Sequence, residues 1–367
     1  MATQYSFFSK KESFFYLFSR LFFCFFSQNY ISLDFFIRLL YCGVGKDKEN
    51  RVMNDEKQNI LIIKLGALGD FIMQMDYVAA IHKTYPNAHI TFMTSKPFVP
   101  FVKCMNFVNH IIVDTHPRWN LKAWYRLCKC EIADKKWDYI FDLQNSKRTR
   151  NRYFNLLSFF SAYPLKWCVW AKGGLLNVKE VAKNGRFRLG KTSFYQMTMP
   201  LEAVDLSFLK GEQKHFDLLP KEKFILFVPG CSPKHPYKRW AKEKYTELAN
   251  LIESKLKLPV VVLGTKAESD QIDFICNHSK AISFKDKATL LDIPALANKS
   301  LCVIGNDTGP MHMTCFCKTY GIVLFCGITA KSAQHLDNVK NIIAEQIDDI
   351  SVSEVFEQIN ALIQRRK

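Results

Sequence analysis

The sequence predicts an α/β protein built as two halves of similar size that face each other across a cleft. Three observations carry this expectation. Short apolar, β-rich runs alternate with longer stretches at helical spacing from Asn59 onward. The same alternation restarts at Phe224. Glycine-containing loops follow strand ends in both halves, where parallel sheets bind their ligands.

In the first half, NILIIKL (59–65) is apolar without alternation, the mark of a strand covered on both faces. A helix follows, with Phe71, Met75, Val78 and Ile81 at helical spacing. The runs at 89–94, 110–113 and 139–143 read as further strands separated by helices, joined by right-handed crossovers. Residues 171–192, basic and glycine-containing, read as a loop. A helix near 194–209 then leads into a charged connector around Lys210–Lys223. In the second half, strands are expected at 224–230, 259–265, 281–284, 301–307 and 323–327, with helices near 241–256, 266–278 and 288–299. A closing helix over 351–366 puts Val352, Val355, Phe356, Ile359 and Leu362 on one face. The expected division is therefore 1–52, 53–214, 215–350 and 351–367.

A length of 367 residues fits two domains and needs no disulfide or metal to hold a core. With 48% apolar and 23% charged residues, a wholly disordered chain is excluded. The 51 basic and 34 acidic residues leave a net charge of +17, which favours an anionic partner without choosing among phosphate, nucleic acid and acidic membrane. The 12 cysteines include no CxxC pair, and several lie inside apolar runs, so they read as free thiols in a reducing compartment. His312, Cys315 and Cys317 are the one grouping with a metal-site look, but His312 has a better use in the loop it belongs to.

Residues 1–52 stand apart, crowded with phenylalanine and interrupted by Arg20, Asp34 and Arg38 too early for a membrane-spanning helix. Two readings are open: an interfacial amphipathic segment, or upstream sequence translated from a wrong start, the chain proper beginning at Met53.

Four loops carry the chemistry. In Lys64–Asp70, Gly66 and Gly69 permit a tight turn and a close ligand approach, but their spacing is not the dinucleotide fingerprint. Asp70 reads either as a helix N-cap or as a general base at the cleft edge. In Gly305–His312, Pro310 suits the first turn of a helix. Thr308, the free backbone N–H of Gly309 and His312 could then meet an anion there. In Val228–Trp240, Lys238 and Arg239 could hold a diphosphate or be a solvated basic loop. In Leu263–Glu268, Glu268 could accept bonds from ribose hydroxyls or simply start a helix.

In this order the loops resemble glycosyltransferase family 9, the ADP-heptose:lipopolysaccharide heptosyltransferases, over roughly residues 59–335. The motifs are the G-A-L-G-D loop (Gly66 to Asp70), P-G-x-S…K-R-W (Pro229, Gly230, Ser232, Lys238 to Trp240) and G-N-D-[ST]-G-P-x-H (Gly305 to His312). Ala241 stands where the family usually has proline after K-R-W, and Pro233–Tyr237 is longer than the family's segment. The resemblance implies a GT-B fold: two Rossmann-like domains with the active site between them, often with a last helix packed back on the first domain. It implies an inverting, metal-independent transfer of heptose from ADP-heptose to the lipopolysaccharide inner core, with no cofactor. Asp70 would deprotonate the acceptor hydroxyl, Lys238 would neutralise the donor diphosphate and Glu268 would contact the ribose. Asp307, Thr308, Gly309 and His312 would surround diphosphate and sugar.

Lys147, Arg148, Arg150 and Arg152 follow the strand ending near Asp142 and read either as contacts for an anionic core sugar or lipid phosphate, or as a solvated face. The partners so implied are a nucleotide-sugar donor and an anionic lipid-linked saccharide, met in the cytoplasm with peripheral contact at the inner membrane. The alternatives are another nucleotide sugar or acceptor, a nonenzymatic nucleotide-sugar binder, and a basic nucleic-acid-binding protein; for the last no binding motif is present, and nucleic acid is not an expected partner.

Overall fold

Strand β1 (Asn59–Ile63) is almost wholly inaccessible, as its uninterrupted apolar run requires. The computed structural model describes residues 57–115, 120, 122–123, 126–154, 167–171, 174–178, 194–197, 202, 204–333 and 336–364. Both readings of residues 1–52 therefore lie outside the described residues, as do any statements about the side chains of Arg150 and Arg152. Residues 57–367 form one compact unit.

After β1 come α1 (Leu68–Ile72), α2 (Met75–Thr84), β2 (His89–Ser95), α3 (Val99–Lys103), β3 (Val108–Asp114) and β4 (Tyr139–Asp142). The single helix expected through Phe71 and Ile81 is thus two, broken at Met73–Gln74. Strands β5 (Trp167–Ala171), β6 (Gly174–Val178) and β7 (Phe194–Met197) extend the sheet. Here the sequence reading fails twice. Residues 174–178, expected as loop, pair antiparallel with β5, and 194–197, expected as helix, pair antiparallel with β6. Past β7, the described part of the expected helix holds only a short 3₁₀ turn, Leu206–Phe208.

The second sheet follows as β8 (Ile225–Val228), α4 (Lys242–Leu256), β9 (Val260–Gly264), α5 (Ser269–Asn277), β10 (Ile282–Lys285), α6 (Ile293–Lys299), β11 (Cys302–Asn306), α7 (Gly309–Cys315) and β12 (Tyr320–Cys326). An edge strand the periodicity did not suggest, β13 (Val339–Ala344), pairs parallel with β12. The closing helix α8 (Val352–Gln364) buries Val352, Val355, Ile359 and Leu362, each burial stabilising by roughly 1.5–3 kcal/mol before entropy is counted. It packs against α4 on the second sheet, in one cluster with Phe227, Trp240 and Leu248.

The described strand orders are β3-β2-β1-β4-β5-β6-β7 and β10-β9-β8-β11-β12-β13. Each reverses direction of growth beside its first strand, β1 in one sheet and β8 in the other, so each has a topological switch point there. A continuous apolar cluster joins the sheets, from Ile60 and Phe71 through Leu206 and Leu209 to Leu226, Val303 and Met313.

Candidate active site between the two sheets

The loops after β1, β8, β9 and β11 all leave from strand C-termini, and they border one cavity of about 650 Å³. From the first side it is lined by Gly69 and Asp70, and from the second by Lys238, Glu268, Asp307, Thr308, Gly309 and His312. Of the site residues expected from the sequence, Gly66, Lys147, Arg148 and Arg239 do not line it.

Helix α1 begins after Ala67, which offers no side-chain cap, so the N-cap reading of Asp70 does not hold. Asp70 lies in the first helical turn, exposed, and its carboxylate accepts no hydrogen bond among the described residues. Beneath it lies a buried pair. Lys64 is 2% exposed and Asp142 fully buried. Burial pushes the Lys64 ammonium down to about 8, against the attraction of Asp70 and Asp142. Burial pushes Asp142 up to about 6, opposed by hydrogen bonds from Thr149, Asn145 and Gln144 and by the charge of Lys64.

The second side is differently built. Asp307 is buried and bridges two partners: Lys238 Nζ donates to its Oδ2 at 2.6 Å, and His312 Nε2 lies 2.8 Å from its Oδ1. Burial raises its pKa, but those two hydrogen bonds and the adjacent charges outweigh burial and leave it lowered. The loop bearing Lys238 is anchored from behind. Trp240 is fully buried with its indole N–H on Ile350 O at 3.0 Å. Asn306 accepts from the Trp240 backbone N–H and the Tyr245 hydroxyl while its own amide donates to Pro229 O. Two buried polar atoms at this wall, Thr308 Oγ1 and His312 Nδ1, have no hydrogen-bond partner among the described residues. Helix α7 is only seven residues long, so discrete groups and not a macrodipole supply its polarity toward the cavity.

Glu268 serves a capping box: the Thr265 backbone N–H and hydroxyl both donate to its Oε2, at 2.9 and 2.5 Å. Its other oxygen faces Gly230. The two sides touch where glycines allow it. A Cβ on Gly309 would lie 2.8 Å from the Leu68 side chain, and one on Gly69 would lie 3.2 Å from the His312 ring. These glycines therefore bring α1 against α7, a use that the sequence alone had not suggested for them.

Lys147 is exposed beyond β4. Arg148 instead turns inward: its guanidinium pairs with buried Asp114, and its Nε and Nη2 donate to the Tyr153 hydroxyl at 3.2 and 3.0 Å. Tyr153 in turn donates to Asp114 at 2.8 Å. Arg239 donates to Cys231 O at 3.2 Å. Cys315 and Cys317 are buried free thiols, both pushed up to about 12 chiefly by burial. Gln144 went unnoticed in the sequence, and Lys64 and Asn306, although inside the loops, had no role assigned. Their signal was a polar residue at the end of a buried apolar run.

Residues 191–352 match the family model of glycosyltransferase family 9 (heptosyltransferase). That stretch, which covers most of the second half of the chain, is similar to glycosyltransferase family 9. No curated protein matches it in sequence. Solved structures share its fold. The glycosyl transferase family 9 protein of Veillonella parvula DSM 2008 is 16% identical, covering 86% of this chain and 100% of its own, with a TM-score of 0.64. E. coli heptosyltransferase WaaC with ADP is 16% identical over 83% of this chain and 100% of its own, with a TM-score of 0.61. E. coli ADP-heptose lps heptosyltransferase II is 18% identical over 84% and 99%, with a TM-score of 0.59. The fold is GT-B. Among its described residues, no helix is long and apolar enough to cross a membrane.

Proposed function

We propose that the protein is a glycosyltransferase of family 9 that moves a heptose from ADP-heptose to an anionic, lipid-linked acceptor of the lipopolysaccharide inner core, with inversion and without a metal. One observation carries the reading: a solvent-exposed carboxylate without a hydrogen-bond partner among the described residues, Asp70, lines the same cavity as Lys238, Thr308 and His312.

Inversion needs a base on the face of the sugar opposite the leaving group. Asp70, on the first side, takes the proton from the acceptor hydroxyl as its oxygen attacks the anomeric carbon. The departing diphosphate gathers negative charge on the second side. Lys238, 20% exposed and oriented by Asp307, supplies the cation, and the unpartnered Thr308 hydroxyl supplies a donor. The free oxygen of Glu268 accepts from the ribose, with Leu263, Leu290 and Ile293 as the apolar wall beside it. Residues 53–214 form the acceptor domain in this reading, and 215–350 the donor domain. Lys147, the exposed cation beyond β4, meets the acceptor's anionic groups, while Arg148 holds the turn. The division of labour is supported by the chain's own charge, +17, against a phosphorylated acceptor at the inner membrane surface. E. coli heptosyltransferase WaaC has been solved with ADP and with ADP-2-deoxy-2-fluoro heptose, which supports the donor class.

The test is turnover of a panel of nucleotide sugars on Kdo-lipid A, with and without EDTA. ADP-heptose is expected to give product at an unchanged rate in EDTA. Transfer from a different nucleotide sugar alone would overturn the donor, and activity lost to EDTA and restored by a divalent ion would overturn the metal-free step.

A further inference from the structure

Among the described residues the Asp70 carboxylate makes no hydrogen bond, so its loop backbone aims it. What holds that loop is therefore a question about the reaction. Residues 64–67 lie between β1 and α1, where neither sheet nor helix supplies partners for the backbone N–H groups of Leu65 and Gly66. Both donate to one atom, Gln144 Oε1, at 3.0 and 3.1 Å. Two converging N–H donors can be met only by the oxygen end of the carboxamide.

Gln144 is itself fixed. Its backbone N–H is shared between Ile63 O and Asp142 Oδ1, each at 3.1 Å. Asp142 Oδ1 also accepts from Asn145 N–H at 2.9 Å, closing a tight turn in which Asn145 takes a positive φ of 39°. The other boundaries of the loop are equally definite. The Ser95 hydroxyl donates to Leu65 O. Gly66, at φ 139°, sits so close to Phe98 that a Cβ would lie 2.9 Å from its ring, and Phe98 stacks on Phe71 of α1 at 5.1 Å. The loop is thus held between a polar clamp and an aromatic wall, and Gln144 is the clamp's two-bond member.

We infer that Gln144 is a positioning residue for the transfer reaction: its carboxamide oxygen sets the Leu65–Gly66 backbone and, through it, the reach of Asp70 to the acceptor hydroxyl. The inference rests on Asp70 being the base. Gln144 touches no reacting atom and acts only through the loop. Displacing a base by about 1 Å costs on the order of 100-fold in rate.

The experiment is a double-mutant cycle on the full chain, with turnover of ADP-heptose and Kdo-lipid A and the Kd of ADP both measured. Gln144→Met keeps length and loses the acceptor. It is expected to lower kcat by about 10- to 100-fold, with the Kd for ADP unchanged because the donor groups lie on the other side. Gln144→Glu retains an oxygen for both N–H groups and is expected to restore most of kcat. In an Asp70→Asn background, Gln144→Met should cost no more than about twofold further, since a base already absent cannot be misplaced. Wild-type kcat in Gln144→Met beside an impaired Asp70→Asn overturns the inference alone, as does an equal loss in both backgrounds, which marks a general structural defect. Wild-type kcat in Asp70→Asn overturns the base reading and the inference with it. Should Gln144→Met not fold, Gln144→Asn, whose oxygen falls short of the loop, is read the same way.

Discussion

Asp70 and Asp307 border one cavity and are built in opposite ways. Asp70 is exposed, on a five-residue helix, with no hydrogen-bond partner of its own among the described residues. Asp307 is buried and holds Lys238 and His312 at 2.6 and 2.8 Å. A carboxylate held below its usual range by two donors is a poor proton acceptor and a good scaffold. A carboxylate left free at a cleft edge is available to take a proton. The contrast separates a group that reacts from a group that orients, although sequence motifs present both as an aspartate in a glycine loop.

Three perturbations press on that contrast, in descending size. Asp70→Ala should lower turnover by about 10²–10⁴, the usual worth of a general base, and leave the calorimetric Kd for ADP within error. An equal loss of ADP affinity would erase the distinction between the two aspartates. Lys238→Ala removes a charged partner of the diphosphate and should weaken ADP binding by roughly 10- to 100-fold, the equivalent of about 1.5–3 kcal/mol. An unaltered Kd would mean that the salt bridge to Asp307 is the whole purpose of this lysine.

The third perturbation concerns Asp142, under the Asp70 loop. Its pKa is raised in the fold to about 6 by burial, so the native state binds the proton more tightly than the unfolded chain does. Stability should therefore fall as pH rises from about 4, the unfolded value, to 6. Asp142→Asn keeps an oxygen for the Gln144 and Asn145 N–H groups and should flatten that slope in thermal melts. Parallel melting curves for both proteins across this window would show that Asp142 does not titrate there.

Much of this was legible beforehand. Uninterrupted apolar runs such as 60–63 and 302–304 mark covered parallel strands, and ligands bind at the loops after them, so Asp70, Lys238, Glu268 and His312 could be named as candidates. The three-strand extension β5–β7 was not legible. Glycine opens β6, and the four residues Phe194–Met197 are too few to separate a two-residue period from a helical one. Arg148 looked free because the sequence shows a basic run but not that Asp114, 34 positions earlier, is buried beneath it. Gln144 carries no motif at all: a long-range bond from an amide to a loop 78 residues earlier has no spacing to detect.

The most direct measurement is a crystal structure of the complex with ADP. The account predicts the diphosphate against Lys238 and Thr308, the ribose at Glu268, and the Asp70 carboxylate facing the open space where the sugar would stand. ADP bound away from that wall, or Asp70 turned out of the cavity, would contradict it.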